Sequence, residues 1–171
     1  MKGPRIVRKK AIDAGKDSYL LKIGPDDRAE CKKCGAVYHS KRWTLGTKPI
    51  ESLTGKKALT VLCPACQKIR DNFAGGYITI RGDFLKEHRD EILNLIRNKE
   101  LVAMRYNPLD RIIEIKAGPG AIDVTTTTEK LAQRIGQMMK KSYGGTVAYK
   151  WSGDVKLARI IWSRQSAQKY A

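Results

Sequence analysis

Acidic residues are scarce in this chain. Its 171 residues hold 17 Asp and Glu against 34 Lys and Arg, a formal net charge of +17. Long apolar runs are absent. Nothing approaches the roughly 20 residues a membrane span requires, and the opening MKGPRIVRKK has no apolar stretch of the kind that makes a signal peptide. The expected location is therefore the cytoplasm, with no membrane partner. Catalytic signatures are missing as well: there is no Gly-x-x-x-x-Gly-Lys-Ser/Thr loop and no nucleophile elbow, and GPGA at 118–121 is too short and too turn-like to cradle a phosphate. Neither an enzyme nor a small-molecule substrate is expected. Cysteine occurs only four times, at Cys31, Cys34, Cys63 and Cys66. In a reducing compartment, two Cys-x-x-Cys pairs mean a metal or a redox couple, not a disulfide framework.

The spacing C-x2-C-x28-C-x2-C decides between those two. A thioredoxin-type redox site has one Cys-x-x-Cys, at a helix start in a βαβ unit, whereas two pairs flanked by hairpin-like sequence supply four thiolates to one tetrahedral ion. One structural Zn²⁺ held by all four cysteines is the expected cofactor. Gly35, directly after Cys34, relieves the tight turn of such a knuckle. His39 could compete as a ligand, but four cysteines already complete the site, which leaves it as an exposed contact residue. A closed four-thiolate site also has no open position for catalysis.

The excess positive charge lies in blocks. Residues 1–16 carry six bases and one acid, residues 31–70 nine and one, and residues 128–171 nine and two, while 71–127 are nearly neutral with eight and nine. Blocks of this kind are the footprint of a polyanion binder, although a solvated basic surface is the plain alternative. Four thiolates and one Zn²⁺ sum to minus two, so residues 31–70 keep about +6 with the metal included. The lysines are not there to neutralise the cluster. Candidate RNA contacts are Lys32 and Lys33 at the knuckle, His39, Lys41 and Arg42 after it, and Lys48, Lys56 and Lys57 in the loop TLGTKPIESLTGKK. Tyr38 and Trp43 offer flat faces for unpaired bases, or else serve as the core of a tiny ribbon. Residues 1–24, with Arg5, Arg8, Lys9 and Lys10, read as an extended basic arm.

The remainder alternates strands and helices. YITIRG is a strand, Asp83 caps a helix running to about Asn98, and RIIEIKAG and AIDVTTT form a hairpin across Gly118-Pro119-Gly120. Thr126-x-x-Glu129 makes a capping box for a helix that closes at Gly144, and TVAYKW and LARIIWSR form a second hairpin. The fold class is thus α+β: residues 25–74 a zinc ribbon, residues 75–165 a ferredoxin-like β-α-β-β-α-β sandwich with one added strand, residues 166–171 a tail. On the second helix Leu131, Ile135 and Met138 should face the sheet, while Lys130, Arg134, Gln137 and Lys141 form an outer stripe with no acidic partner at helical spacing. Lys130, Arg134 and Lys141 join the candidate RNA contacts.

CKKCGAVYHSKRW followed by LCPACQKIRDNFAGGYITIRG resembles the amino-terminal zinc region of the archaeal and eukaryotic large-ribosomal-subunit export adaptors. There Cys-x-x-Cys-Gly, a second Cys-x-x-Cys and a Gly-Gly-Tyr strand ending in Arg-Gly recur. The similarity covers residues 31–82, and the chain differs in having a single four-cysteine set. The resemblance implies a partner, the ribosome, and a place on ribosomal RNA of the large-subunit interface face, over the tRNA sites. A compact prokaryotic relative that silences or protects idle ribosomes is the expected role. A zinc-ribbon DNA-binding regulator and a protein-interaction module with structural zinc are the alternatives.

Overall fold

The computed structural model describes residues 18–24, 28–46, 58–152 and 157–165, which form two sheets and three helices. Arg5, Arg8, Lys9, Lys10, Lys48, Lys56 and Lys57 lie outside the described residues, as does most of the arm expected over 1–24.

The smaller sheet holds β1 (Ala29–Cys31), β2 (Ala36–His39), β3 (Arg42–Leu45) and β4 (Leu59–Val61) in the order β3-β2-β1-β4. β1 and β2 run antiparallel on either side of the first knuckle, and β4 lies parallel to β1 with Cys31 opposite Val61. The second Cys-x-x-Cys does not continue as a hairpin. It opens α1 (Pro64–Arg70), with Cys63 as N-cap, Pro64 in the first turn, and Lys68 and Arg70 in the last. Each choice favours a helix: proline is pre-set for the first turn, and cations at the C-terminal end oppose the dipole.

The larger sheet contains β5 (Gly76–Arg81), β6 (Ile112–Ala117), β7 (Ala121–Thr126), β8 (Thr146–Trp151) and β9 (Ala158–Ser163), in the order β6-β7-β5-β9-β8. Helices α2 (Leu85–Tyr106) and α3 (Glu129–Tyr143) complete the chain order β-α-β-β-α-β-β. β6 and β7 form the expected hairpin, and β7 lies antiparallel between β5 and β6. β9 enters the interior of the sheet, parallel to β5, and pushes β8 to the edge. Ile78, Ile80, Ile122, Val124, Ile160 and Trp162 project from one sheet face onto Leu85, Ile92, Ile96, Leu131, Ile135 and Met139 of the helices, making one core. The alternation of buried and exposed residues along β9 is that of a half-covered strand.

Three boundaries differ from the sequence reading. α2 continues past Asn98 to Tyr106 because no breaker intervenes before Pro108, and Asn107 ends it. Asp83 makes no cap; Phe84 stands at that position, and the helix bends at His88, whose ring stacks on Phe84 at 4.1 Å. The cap of α3 is Thr128, whose hydroxyl accepts from the Leu131 amide, because Thr126 is still inside β7 and fully buried. Met139, not Met138, is the fully buried methionine of α3. Gly82 is required where β5 leaves the sheet: φ is +125° and a Cβ would stand 1.9 Å from the Arg164 carbonyl oxygen.

The smaller module packs against α2 through β3 and against the loop that follows α2. Leu109, in the loop after α2, joins Trp43 and Leu62 against the buried cysteines, and the Lys68 ammonium donates to the Thr127 carbonyl at 3.4 Å. No helix among the described residues is long and apolar enough to cross a membrane.

Candidate metal centre and adjoining cleft

Each cysteine is placed by a different local device. Cys31 ends β1, and Cys34 closes a knuckle in which the Gly35 amide returns to the Cys31 carbonyl at 2.9 Å, with φ +69° at Gly35. Cys63 follows β4 as the cap of α1, and Cys66 lies one turn on. All four Sγ atoms are within 4.8 Å of one another, and Cys34 and Cys63 are 3.7 Å apart. A tetrahedral ion with metal–sulfur bonds of about 2.3 Å needs sulfurs about 3.8 Å apart. The four side chains therefore fit one metal ion with little movement.

The surroundings are built for thiolates. The Cys63 amide donates to Cys31 Sγ at 3.3 Å and the Cys66 amide to Cys63 Sγ at 3.4 Å. Burial opposes ionisation of Cys31, but the backbone amides of Cys63, Cys34 and Lys33 outweigh it and lower its pKa to about 6. Burial pushes Cys66 up to about 11 and raises Cys63 strongly. Two buried protons thus sit where a cation would replace them. His39 is exposed on the far end of β2 and is not among the clustered ligands.

The hairpin beside the metal centre turns through Ser40 and Lys41, at φ +48° and +62°. Two positive φ values in a two-residue loop are those of a type I′ turn, whose preferred residues are Asn and Gly. Holding Ser and Lys there costs on the order of 1 kcal/mol or more each. The strain presents His39, Lys41 and Arg42 at an exposed tip. Lys32 and Lys33 are exposed at the knuckle.

Trp43 serves two purposes. It is half-buried against the cysteine cluster, its ring is 5.4 Å from that of its cross-strand neighbour Tyr38, and it lines a cleft of about 440 Å³ with Tyr38, Lys41, Arg42, Tyr106 and Asn107. Tyr106 is 83 % exposed at the end of α2. The sequence reading missed this wall because it ended α2 eight residues early. The unbroken run KELVAMRY up to Pro108 was the signal for it.

The α3 stripe needs revision. Arg134 has an acidic partner, far away in sequence: its guanidinium reaches the Asp110 carboxylate at 2.9 Å, and Asp110 is 1 % exposed. The other Asp110 oxygen accepts from the Thr128 hydroxyl at 2.8 Å and the Asn107 amide at 3.2 Å. Arg134 is a strut between α3 and the loop that carries Leu109. Lys130 and Lys141 are exposed. No protein-family model, no curated protein and no solved structure matches this chain.

Proposed function

We propose that this is a non-enzymatic, zinc-ribbon RNA-binding protein of the ribosome, which occupies ribosomal RNA on the large-subunit interface face and silences or protects idle particles. The observation that carries the reading is the cleft beside the metal centre, which is lined by Tyr38, Trp43 and Tyr106 together with Lys41 and Arg42 and by apolar residues such as Leu20, Leu21 and Leu109. Aromatic faces interleaved with cations are what unpaired bases and their phosphates require together. The donor set, four thiolates with near-tetrahedral separations, favours Zn²⁺ over harder ions, and a closed set of four makes the metal structural. The net charge of +17 supplies the long-range attraction to a polyanion. A strained hairpin tip of His39, Lys41 and Arg42 fits the same reading, since strain of this kind collects at binding sites.

Co-sedimentation with purified ribosomal subunits across a salt series is the test. The protein should travel with the large subunit, and binding should weaken steeply between 50 and 200 mM salt. Trp43→Ala should lower affinity by about 1–3 kcal/mol for the lost stack, a deficit that salt does not change, whereas Arg42→Ala should also flatten the salt slope by nearly one. Failure to sediment at low salt, or equal retention on bare DNA, removes the ribosomal reading.

A further inference from the structure

Among the described residues, helices cover only one face of the larger sheet. On its other face the described residues form three rows across β6, β7, β5, β9 and β8. The row nearest the metal module reads Glu114, Thr125, Tyr77, Arg159, Lys150; the next Lys116, Asp123, Thr79, Ile161, Ala148; the third Ala121, Arg81, Ser163, Thr146. We propose that the β5-β9-β8 half of this open face binds a single-stranded RNA segment, with one base stacked at Tyr77 and its phosphates held by Arg159, Lys150 and Arg81.

The charge pattern separates the two halves of the face. On β6 and β7 the charges answer each other: Lys116 pairs with Glu114 at 3.2 Å, and Asp123 accepts from Thr79 at 2.6 Å. On β5, β9 and β8 the face carries Arg81, Arg159 and Lys150 and no acid. Arg159 and Lys150 stand directly opposite each other. Like charges in that position destabilise a strand pair, and among the described residues neither has an ion-pair partner. Apart from the contact of Arg159 with the Tyr77 ring, the fold gains nothing from setting the two cations opposite each other, whereas a phosphate between them removes the repulsion.

The apolar pattern agrees. Tyr77 is 41 % exposed and Ile161 39 % exposed on a half-face whose other uncharged side chains are small or hydroxylated: Thr79, Ser163, Thr146 and Ala148. Tyr77 is its one aromatic, in the same row as Arg159 and Lys150. The Arg159 guanidinium lies over the Tyr77 ring at 5.6 Å, so a base can extend the stack on a cationic plane. A duplex does not suit this geometry, because its bases are already stacked on one another and its readable edges are recessed. Thr79 donates to Asp123, and Thr146 and Ser163 bond to each other at 3.0 Å, but these hydroxyl oxygens keep lone pairs to which a ribose 2′-hydroxyl can donate, which favours RNA over DNA. The inference rests on the RNA-binding reading above and adds a second contact surface to it.

The test uses the metal-loaded full chain and a fluorescein-labelled 12-nucleotide uridine RNA, read by anisotropy at several salt concentrations. Tyr77→Ala should weaken binding about tenfold or more with an unchanged salt slope, and Tyr77→Phe should restore it. Lys150→Gln and Arg159→Gln should each flatten the slope by about 0.7. Bromouridine in the same RNA should crosslink to the peptide containing Tyr77, and a 12-base-pair RNA duplex should compete poorly. Thermal melting of the Tyr77 variants should match the parent, since this side chain lies outside the core, and Lys150→Gln and Arg159→Gln should melt at or above the parent, since each removes the like-charge pair. Unchanged binding by Tyr77→Ala, with binding lost by Arg42→Ala and Trp43→Ala, overturns this inference and leaves the proposed function standing. A parent that binds no single-stranded RNA overturns both. Equal binding of the matching deoxyuridine strand overturns the assignment to RNA.

Discussion

Replacing Cys63 with serine should unfold the metal module and leave the larger domain folded. The module's buried core consists of Cys31, Ala36, Cys63, Ala65 and Cys66. These side chains carry one carbon apiece, so at about 0.8 kcal/mol for each buried carbon their transfer is worth roughly 4 kcal/mol, and the half-buried Trp43 and Leu62 add about 1 kcal/mol each. A structural four-thiolate zinc contributes about 10–16 kcal/mol. The metal therefore outweighs the apolar core by a factor of about two, and serine, with no thiolate to offer, forfeits most of that stabilisation. The larger domain has its own core of fourteen buried side chains, none of which is a cysteine. Among the described residues the ties to the module are few: Leu109, half-buried in the second cluster, the end of α2 beside β3, and the Lys68–Thr127 bond. Metal analysis of the purified parent should give one zinc per chain. Hydrogen exchange of Cys63→Ser should then show lost protection over β1 to α1 and retained protection over β5, β7 and β9. Retained protection in the module, or a cooperative loss across both sheets, would refute the argument.

The sequence disclosed the elements that rest on local chemistry. The cysteine cluster was legible because two Cys-x-x-Cys pairs bring four thiols to one place, and the strands β5 to β9 because they are short runs rich in apolar and β-branched residues bounded by turn residues, with clear alternation in β5 and β7. Gly144 ended α3 as expected, with φ +68°. What escaped was set by contacts distant in sequence. Nothing local shows that β9 pairs in parallel with β5, because strand order is decided by which apolar faces meet. The Thr126-x-x-Glu129 pattern is a legitimate capping signal, but Thr126 is taken by β7 and by its bonds to the Gly76 and Thr128 carbonyls. Asp110 likewise looks like a loop acid until the fold brings Arg134 to it. The cleft wall at Tyr106 was hidden because helix ends are the least determined feature of a periodic pattern.

Three further outcomes follow from the site and its supports. Asp110→Ala should lower stability by about 2–3 kcal/mol, less than the 3–5 of a fully buried pair because Arg134 keeps 44 % of its side chain in water, and melting curves should show a shift of roughly 5–10 °C; an unchanged melting temperature would mean the Asp110–Arg134 pair contributes nothing net. Metal binding at pH 7 should release at least two protons, since Cys66 at about 11 and the still higher Cys63 hold theirs until the ion displaces them. Stability from the metal is then present at high pH and lost as pH falls, with affinity dropping up to about a hundredfold per unit; calorimetry giving the same heat in buffers of different ionisation enthalpy would contradict this. The last outcome sets stability against binding at one residue. Lys41 holds φ +62° in a turn that glycine adopts freely, so Lys41→Gly should relieve strain and stabilise the hairpin by about 0.5–1 kcal/mol. The same change removes a cation from the rim of the cleft, so it should weaken ribosome binding and flatten its salt slope by nearly one. A turn chosen for stability alone would carry glycine there already. A variant that is more stable and binds as well as the parent would show that the strain at Ser40 and Lys41 has no part in binding, and that the tip is only a connection between β2 and β3.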